Sequence, residues 1–276
     1  MKPVPGTEAT DAEQGAGSRP GEAPRGRVRA AALTLLHLLA LGLTVLLYLA
    51  VASLIALAIV RVGADLRDGI DPFAAQDRRP PLHPSQIAMR ELALDIVRQV
   101  VLALLVVATA LWRDRSAWRQ RLALDRTRPP GLRASRLLLI LLVWPAFHIL
   151  WVTGTATLFH APFGHQVALS PMLTAAALAA WLAYVVVLAP TAEELLMRGE
   201  AFARARAFLG PAGAIMVTAA LFALAHLSSA GLARPISLLP LALTLGWLRW
   251  RTGRLWPCIA LHGWSNLAFV AYLLWP

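Results

Sequence analysis

The chain has 276 residues, 58% apolar and only 15% charged, with a formal net charge of +11. A soluble chain of this length carries about a quarter charged residues, so the composition excludes an ordinary soluble enzyme. The arginines cluster in connections between apolar runs, which marks them as topology determinants rather than a nucleic-acid surface, and the single Cys258 excludes an intrachain disulfide or a Cys-rich metal site.

Residues 1–29 are predicted to form a disordered cytoplasmic tail, rich in Pro, Gly, Glu and Ala as far as about Gly26. The tail is too polar for a signal peptide. Arg25, Arg27 and Arg29 precede the charge-free run Ala30–Val60, the pattern of a retained first span. The transmembrane domain is expected over 30–276, with spans at 31–60, 92–112, 136–158, 168–190, 212–228, 235–250 and 255–275. About 20 apolar residues cross a bilayer as helix, and these runs are too long and continuous for barrel strands. The predicted fold is all-α, a polytopic transmembrane helical bundle of about seven spans.

Arginine alternates between the connections. Residues 61–91 carry five Arg against five acids, 113–136 eight Arg against two Asp, and 160–167 none. Arg198, Arg204 and Arg206 follow, then Arg234 alone, then Arg249, Arg251 and Arg254, with none at the C-terminus. By the positive-inside rule the N-terminus is cytoplasmic and the C-terminus outside, in a multi-pass cell-membrane protein. No internal repeat is visible, which argues against an inverted-repeat transporter. Spans 1 and 2 are expected to cohere less well with the rest.

Chemistry concentrates in the second half, where the only carboxylates after Asp125 are Glu193, Glu194 and Glu200. An ionisable group in a span is a functional candidate by default, and Pro190 frees a helix carbonyl beside these acids. Glu194 and Arg198 stand at i,i+4 and share a helix face, so an ion pair would orient Glu194. Glu193 points elsewhere and lacks that partner, which suits it to general-base work. Phe222 and His226 lie at i,i+4 in the fifth span, as do His262 and Asn266 in the seventh. A base, two imidazoles and an amide donor form the inventory for water attack on a peptide bond. Asp95 and Arg98 are expected to pair structurally, His148 to pack in the core, His37 to be core or lipid-facing, and His160 and His165 to sit in an outer loop. Trp112, Trp256 and Trp275 suit an aromatic belt.

In order, Glu193-Glu194-Leu195-Leu196-Met197-Arg198, Phe222-Ala223-Leu224-Ala225-His226 and His262-Gly263-Trp264-Ser265-Asn266 resemble the three motifs of the CPBP (Abi) intramembrane proteases, which include the type II CAAX prenyl proteases. The resemblance covers roughly residues 170–270 and implies a protease core at about 136–276. It implies a bacterial cytoplasmic membrane, a cytoplasm-facing cavity and a membrane-associated or prenylated polypeptide substrate. Glu193 would activate water with His226, His262 and Asn266 would stabilise the oxyanion, and Arg198 would hold Glu194. Glu193, His226 and His262 match a possible zinc-ligand set with water in the fourth position, and the same residues also serve a metal-free mechanism. No His-Glu-x-x-His is present.

Competing readings are a non-catalytic binding or immunity-type scaffold and a proton-coupled transporter. The rhomboid Gly-x-Ser-Gly is incomplete at Gly263-Trp264-Ser265-Asn266, and spans 3–7 lack the two Asp of an aspartyl protease. One tension follows from the span boundaries: Glu193 falls near a cytoplasmic edge, whereas His226 lies roughly 20 Å into its span at about 1.5 Å per residue. Either span 4 ends later than 190 or the 200–212 connection dips into the bilayer.

Overall fold

The computed structural model describes residues 22–125, 131–160, 174–227 and 231–274, and His165 and Trp275 lie outside them. Regular structure among the described residues is helical. Helix α1 (Glu22–Arg67) is 46 residues long. It packs along α2, buries Leu41, Val45, Ala52 and Ala56, and leaves a broad leucine face uncovered, including Leu35, Leu39, Leu43 and Leu46. Exposed leucine on that scale suits a lipid solvent. The start of α2 (Pro84–Asp114) is fixed by a capping box: the His83 ring accepts the Ser85 N–H, and the Gln86 side chain accepts the His83 N–H. Pro84 suits the first turn, where its missing N–H costs nothing. After a short α3 (Trp118–Arg121), α4 (Ala134–Leu158) crosses the bundle.

The next element runs as one helical path from Ala175 to Ala225. It comprises α5 (Ala175–Ala183), a π segment (Tyr184–Leu188), α6 (Ala189–Glu194), a second π segment (Leu195–Ala201) and α7 (Phe202–Ala225). Inside α7, Gly210 adopts φ 69° and ψ −175°, a conformation that glycine tolerates and side chains do not. Pro211 then starts the next helical stretch. The path therefore folds back on itself at Gly210. Arg198 and Phe222, each twelve residues from that glycine, meet with the guanidinium 4.7 Å from the ring centroid. Helices α8 (Ala233–Thr252) and α9 (Trp256–Leu274) complete the bundle.

Four stretches, Val28–Arg67, α2, α4 and Ala175–Ala225, are long and apolar enough to cross a membrane. The last crosses twice, and with α8 and α9 the all-α bundle has about seven spans, as expected. Two expectations are corrected. The fourth span does not end at 190; helix continues to residue 209, because Arg198, Arg204 and Glu200 find partners inside the bundle. Glu193 and His226, 17 and 16 residues either side of Gly210, consequently stand at similar height. Nor is α2 loosely attached: it contacts α6 and both π segments as well as α1.

Candidate active site

Three elements bring the residues singled out from sequence to one cavity of about 500 Å³. Glu193 and Glu194 come from the end of α6, His226 from the residue that caps α7, and His262 and Asn266 from α9. Local sequence explains why the carbonyls and amides meet here. Within the π segment, the C=O of Val185 would take the N–H five residues on, but that residue is Pro190, which has none. Asn266 supplies the missing donor: its Nδ2 donates to the Val185 carbonyl at 2.9 Å. One turn away, α9 presses against the same segment at Gly263, where a Cβ would fall 2.3 Å from the Val186 oxygen. Glycine is required by this close approach, and the approach holds His262 and Asn266 against α6.

The two glutamates have different surroundings. Glu194 is fully buried, and its Oε1 accepts from Arg198 Nη1 at 2.9 Å and from His262 Nδ1 at 3.0 Å. Arg198, also fully buried, donates from Nη2 to the Ala242 carbonyl at 2.9 Å. Glu193 keeps 20% of its side chain exposed to the cavity. Its Oε2 lies 3.9 Å from His226 Nε2 and 3.8 Å from His262 Nε2, and Gln99 Nε2 donates to its Oε1 at 3.4 Å.

Partner chemistry assigns both imidazole tautomers. His226 Nδ1 faces the Phe222 carbonyl at 2.8 Å, which can only accept, so this nitrogen carries the proton. His262 Nδ1 faces the Glu194 carboxylate, which is paired with Arg198, and is likewise the donor. In the neutral rings both Nε2 atoms then present lone pairs toward Glu193 Oε2. Three acceptors around one point, with no donor among them, call for a bound proton, a water or a cation. Phe222 fixes both rings, lying 4.7 Å from His226 and 5.5 Å edge-on from His262.

All six residues singled out from sequence therefore gather at or behind the cavity: Glu193, His226, His262 and Asn266 line it, and Glu194 and Arg198 stand behind His262. As a zinc-ligand set, Glu193, His226 and His262 have the right donor types. Their spacing of 3.8–3.9 Å exceeds the roughly 3.3 Å between neighbouring ligands of a tetrahedral zinc with bonds near 2.0 Å, and among the described residues no group of three meets a metal-binding geometry.

Other residues divide as follows. Asp95 and Arg98 pair at 2.8 Å as expected, yet both also line the cavity. His148 is buried against Trp144 and does not line it. His37 stacks on Phe208 between α1 and α7, and His160 follows α4 in an exposed turn. Trp112 and Trp256 are exposed, as belt residues would be. Sequence reasoning missed Gln99, a buried amide at the head of an apolar run in α2. A lone amide in a span is itself a signal, because it needs a partner there. It also missed Tyr184 and Arg234 as lining residues. Glu200, the third late carboxylate, belongs elsewhere: Arg121, Arg204 and Arg113 bind it at 2.6, 2.6 and 3.2 Å.

Residues 175–268 match the family model of the type II CAAX prenyl endopeptidase Rce1-like proteins, a stretch that contains all six residues. No curated protein and no solved structure matches the chain. The matched family is one of membrane-embedded peptidases of CAAX type. The chain therefore carries an Rce1-like domain over residues 175–268, in keeping with the CPBP resemblance of its three motifs.

Proposed function

We propose that the protein is an intramembrane endopeptidase that hydrolyses a peptide bond of a membrane-associated or prenylated polypeptide with water activated by Glu193 and His226. The observation that carries this reading is the convergence of Glu193 Oε2 with the Nε2 atoms of His226 and His262 in a cavity within the bundle. A water at that point donates one proton to Glu193 and the other to an imidazole, which leaves its oxygen lone pair facing the substrate carbonyl. As the tetrahedral species forms, the second N–H of Asn266 Nδ2 is available to its oxyanion, since only one is used by Val185. The water's other proton stays on its oxygen and ends on the product carboxyl group. A solvent proton taken up at His262 Nε2 before attack and kept through turnover makes that ring a second donor to the oxyanion, with Glu194 and Arg198 keeping it in register. The proton held by Glu193 passes to the departing amine. A zinc-assisted version would require Glu193, His226 and His262 to draw closer than their present 3.8–3.9 Å spacing.

The test is cleavage of a peptide library in liposomes by the wild type, Glu193→Ala and His226→Ala, each with and without a chelator. Loss of at least a hundredfold in both variants is expected. Equal rates in all three proteins would refute the mechanism, and the chelator arm separates the zinc-assisted from the metal-free version.

A further inference from the structure

The catalytic cavity is open at one end of the bundle and sealed at the other, and the two ends differ in charge. From Glu193 it runs past Asp95, Glu91 and Ala88 of α2 and past Arg234 at the start of α8. This end is formed by the start of α2, the end of α7 and the C-terminal half of α9. Toward the other end the path is closed by Arg198, Phe202, Leu245, Leu248, Leu255 and Leu261, none of which exposes any surface. A separate cavity beyond that plug, walled by His37, Arg113, Arg121 and Arg204, shares no residue with the catalytic one.

The sealed end is the arginine-rich one. Its connections, 113–136, 204–206 and 249–254, hold thirteen arginines, against seven in 61–98 and at 234 on the open end. Arginines 25, 27 and 29, at the start of α1, add to the sealed end. On the open end the arginines are matched by acids: Arg90 bridges Asp65 and Asp68 at 2.6 and 2.7 Å, Arg67 holds Asp68 at 2.9 Å, Arg79 holds Asp65, and Arg98 holds Asp95 at 2.8 Å. A cytoplasmic face is the one enriched in arginine near span ends. The cytoplasm-facing cavity implied by the resemblance and the cytoplasmic N-terminus implied by the arginines thus cannot both hold.

We infer that the cavity opens on the non-cytoplasmic face of the membrane, and that its substrate is a polypeptide segment presented there, a translocated peptide or the outer juxtamembrane stretch of another membrane protein. The substrate part rests on the hydrolase reading above; the sidedness does not. A tail prenylated in the cytoplasm would meet the sealed end.

Single cysteines placed at Glu91 (Glu91→Cys) and Arg115 (Arg115→Cys), both exposed and at opposite ends, test the side. The native Cys258 is fully buried, so the wild type is the unlabelled control. A membrane-impermeant maleimide is expected to label Glu91→Cys in intact spheroplasts of a bacterial host, and Arg115→Cys only in inverted vesicles. The reverse pattern overturns the inference. With an impermeant fluorogenic peptide, spheroplasts carrying the wild type should exceed those carrying Glu193→Ala at least tenfold. An excess confined to inverted vesicles overturns the inference. Cleavage in neither preparation overturns the hydrolase reading and the substrate named here, while the labelling still decides the side.

Discussion

Removing Arg198 should destabilise the protein by an amount set by what it leaves behind. Glu194 and Arg198 are both fully buried and paired at 2.9 Å. In Arg198→Met the Glu194 carboxylate keeps only the His262 Nδ1–H at 3.0 Å, and the Ala242 carbonyl loses a donor. Breaking a buried pair from one side costs about 3–5 kcal/mol, because an uncompensated charge remains in a low dielectric. That is a large share of a total stability of about 5–15 kcal/mol. In the double variant Glu194→Gln, Arg198→Met no bare charge remains, and the Gln side-chain oxygen still accepts from His262. About 2 kcal/mol or more of the loss should therefore return. Equilibrium unfolding in mixed detergent and SDS micelles, followed by the fluorescence of the ten tryptophans, measures both variants. A single variant as stable as wild type, or a double variant no better than the single, would refute the argument that Arg198 serves as the counter-ion of Glu194.

Three further outcomes follow from the same geometry. Gly263→Ala would put a methyl 2.3 Å from the Val186 oxygen; forcing α9 off the π segment should cost about 1–3 kcal/mol and lower kcat by shifting His262, both readable on purified protein. Asn266→Ala removes the donor to Val185 and the proposed oxyanion contact, and kcat should fall by about 10²–10³ with KM little changed; an unaltered kcat would exclude Asn266 from the oxyanion site. Gln99→Leu strips Glu193 of its only amide donor among the described residues; peptide turnover should drop while Gln99→Asn retains part of it, and equal activity of Leu and wild type would assign Gln99 to packing alone.

The residues of the site were legible in the sequence because membrane helices make polar side chains rare: two glutamates, two histidines and an asparagine stand out against leucine and alanine. Their elements were legible for the same reason. Depth was not. The stretch 191–211 reads as a connection because it carries Glu193, Glu194, Arg198, Glu200, Arg204 and Arg206. In the fold each of these but Arg206 meets a partner among the described residues: Arg198 with Glu194, Arg204 with Glu200, Glu193 with Gln99. A charge with an internal counter-ion does not need water, so the helix continues from 190 to 209 and turns only where Gly210 permits a positive φ. Hydropathy scores a side chain as if lipid or water were its only neighbours. It therefore misplaces span ends wherever a third option, a partner on the same or a facing helix, is present. The same blindness hid α2: Asp95 read as a structural partner of Arg98 and Gln99 as part of an apolar run, and only packing against α6 makes them walls of the cavity. It follows that in this bundle the side on which the cavity opens had to come from structure and arginine count together, since the first identifies the open end and the second assigns that end to a face of the membrane.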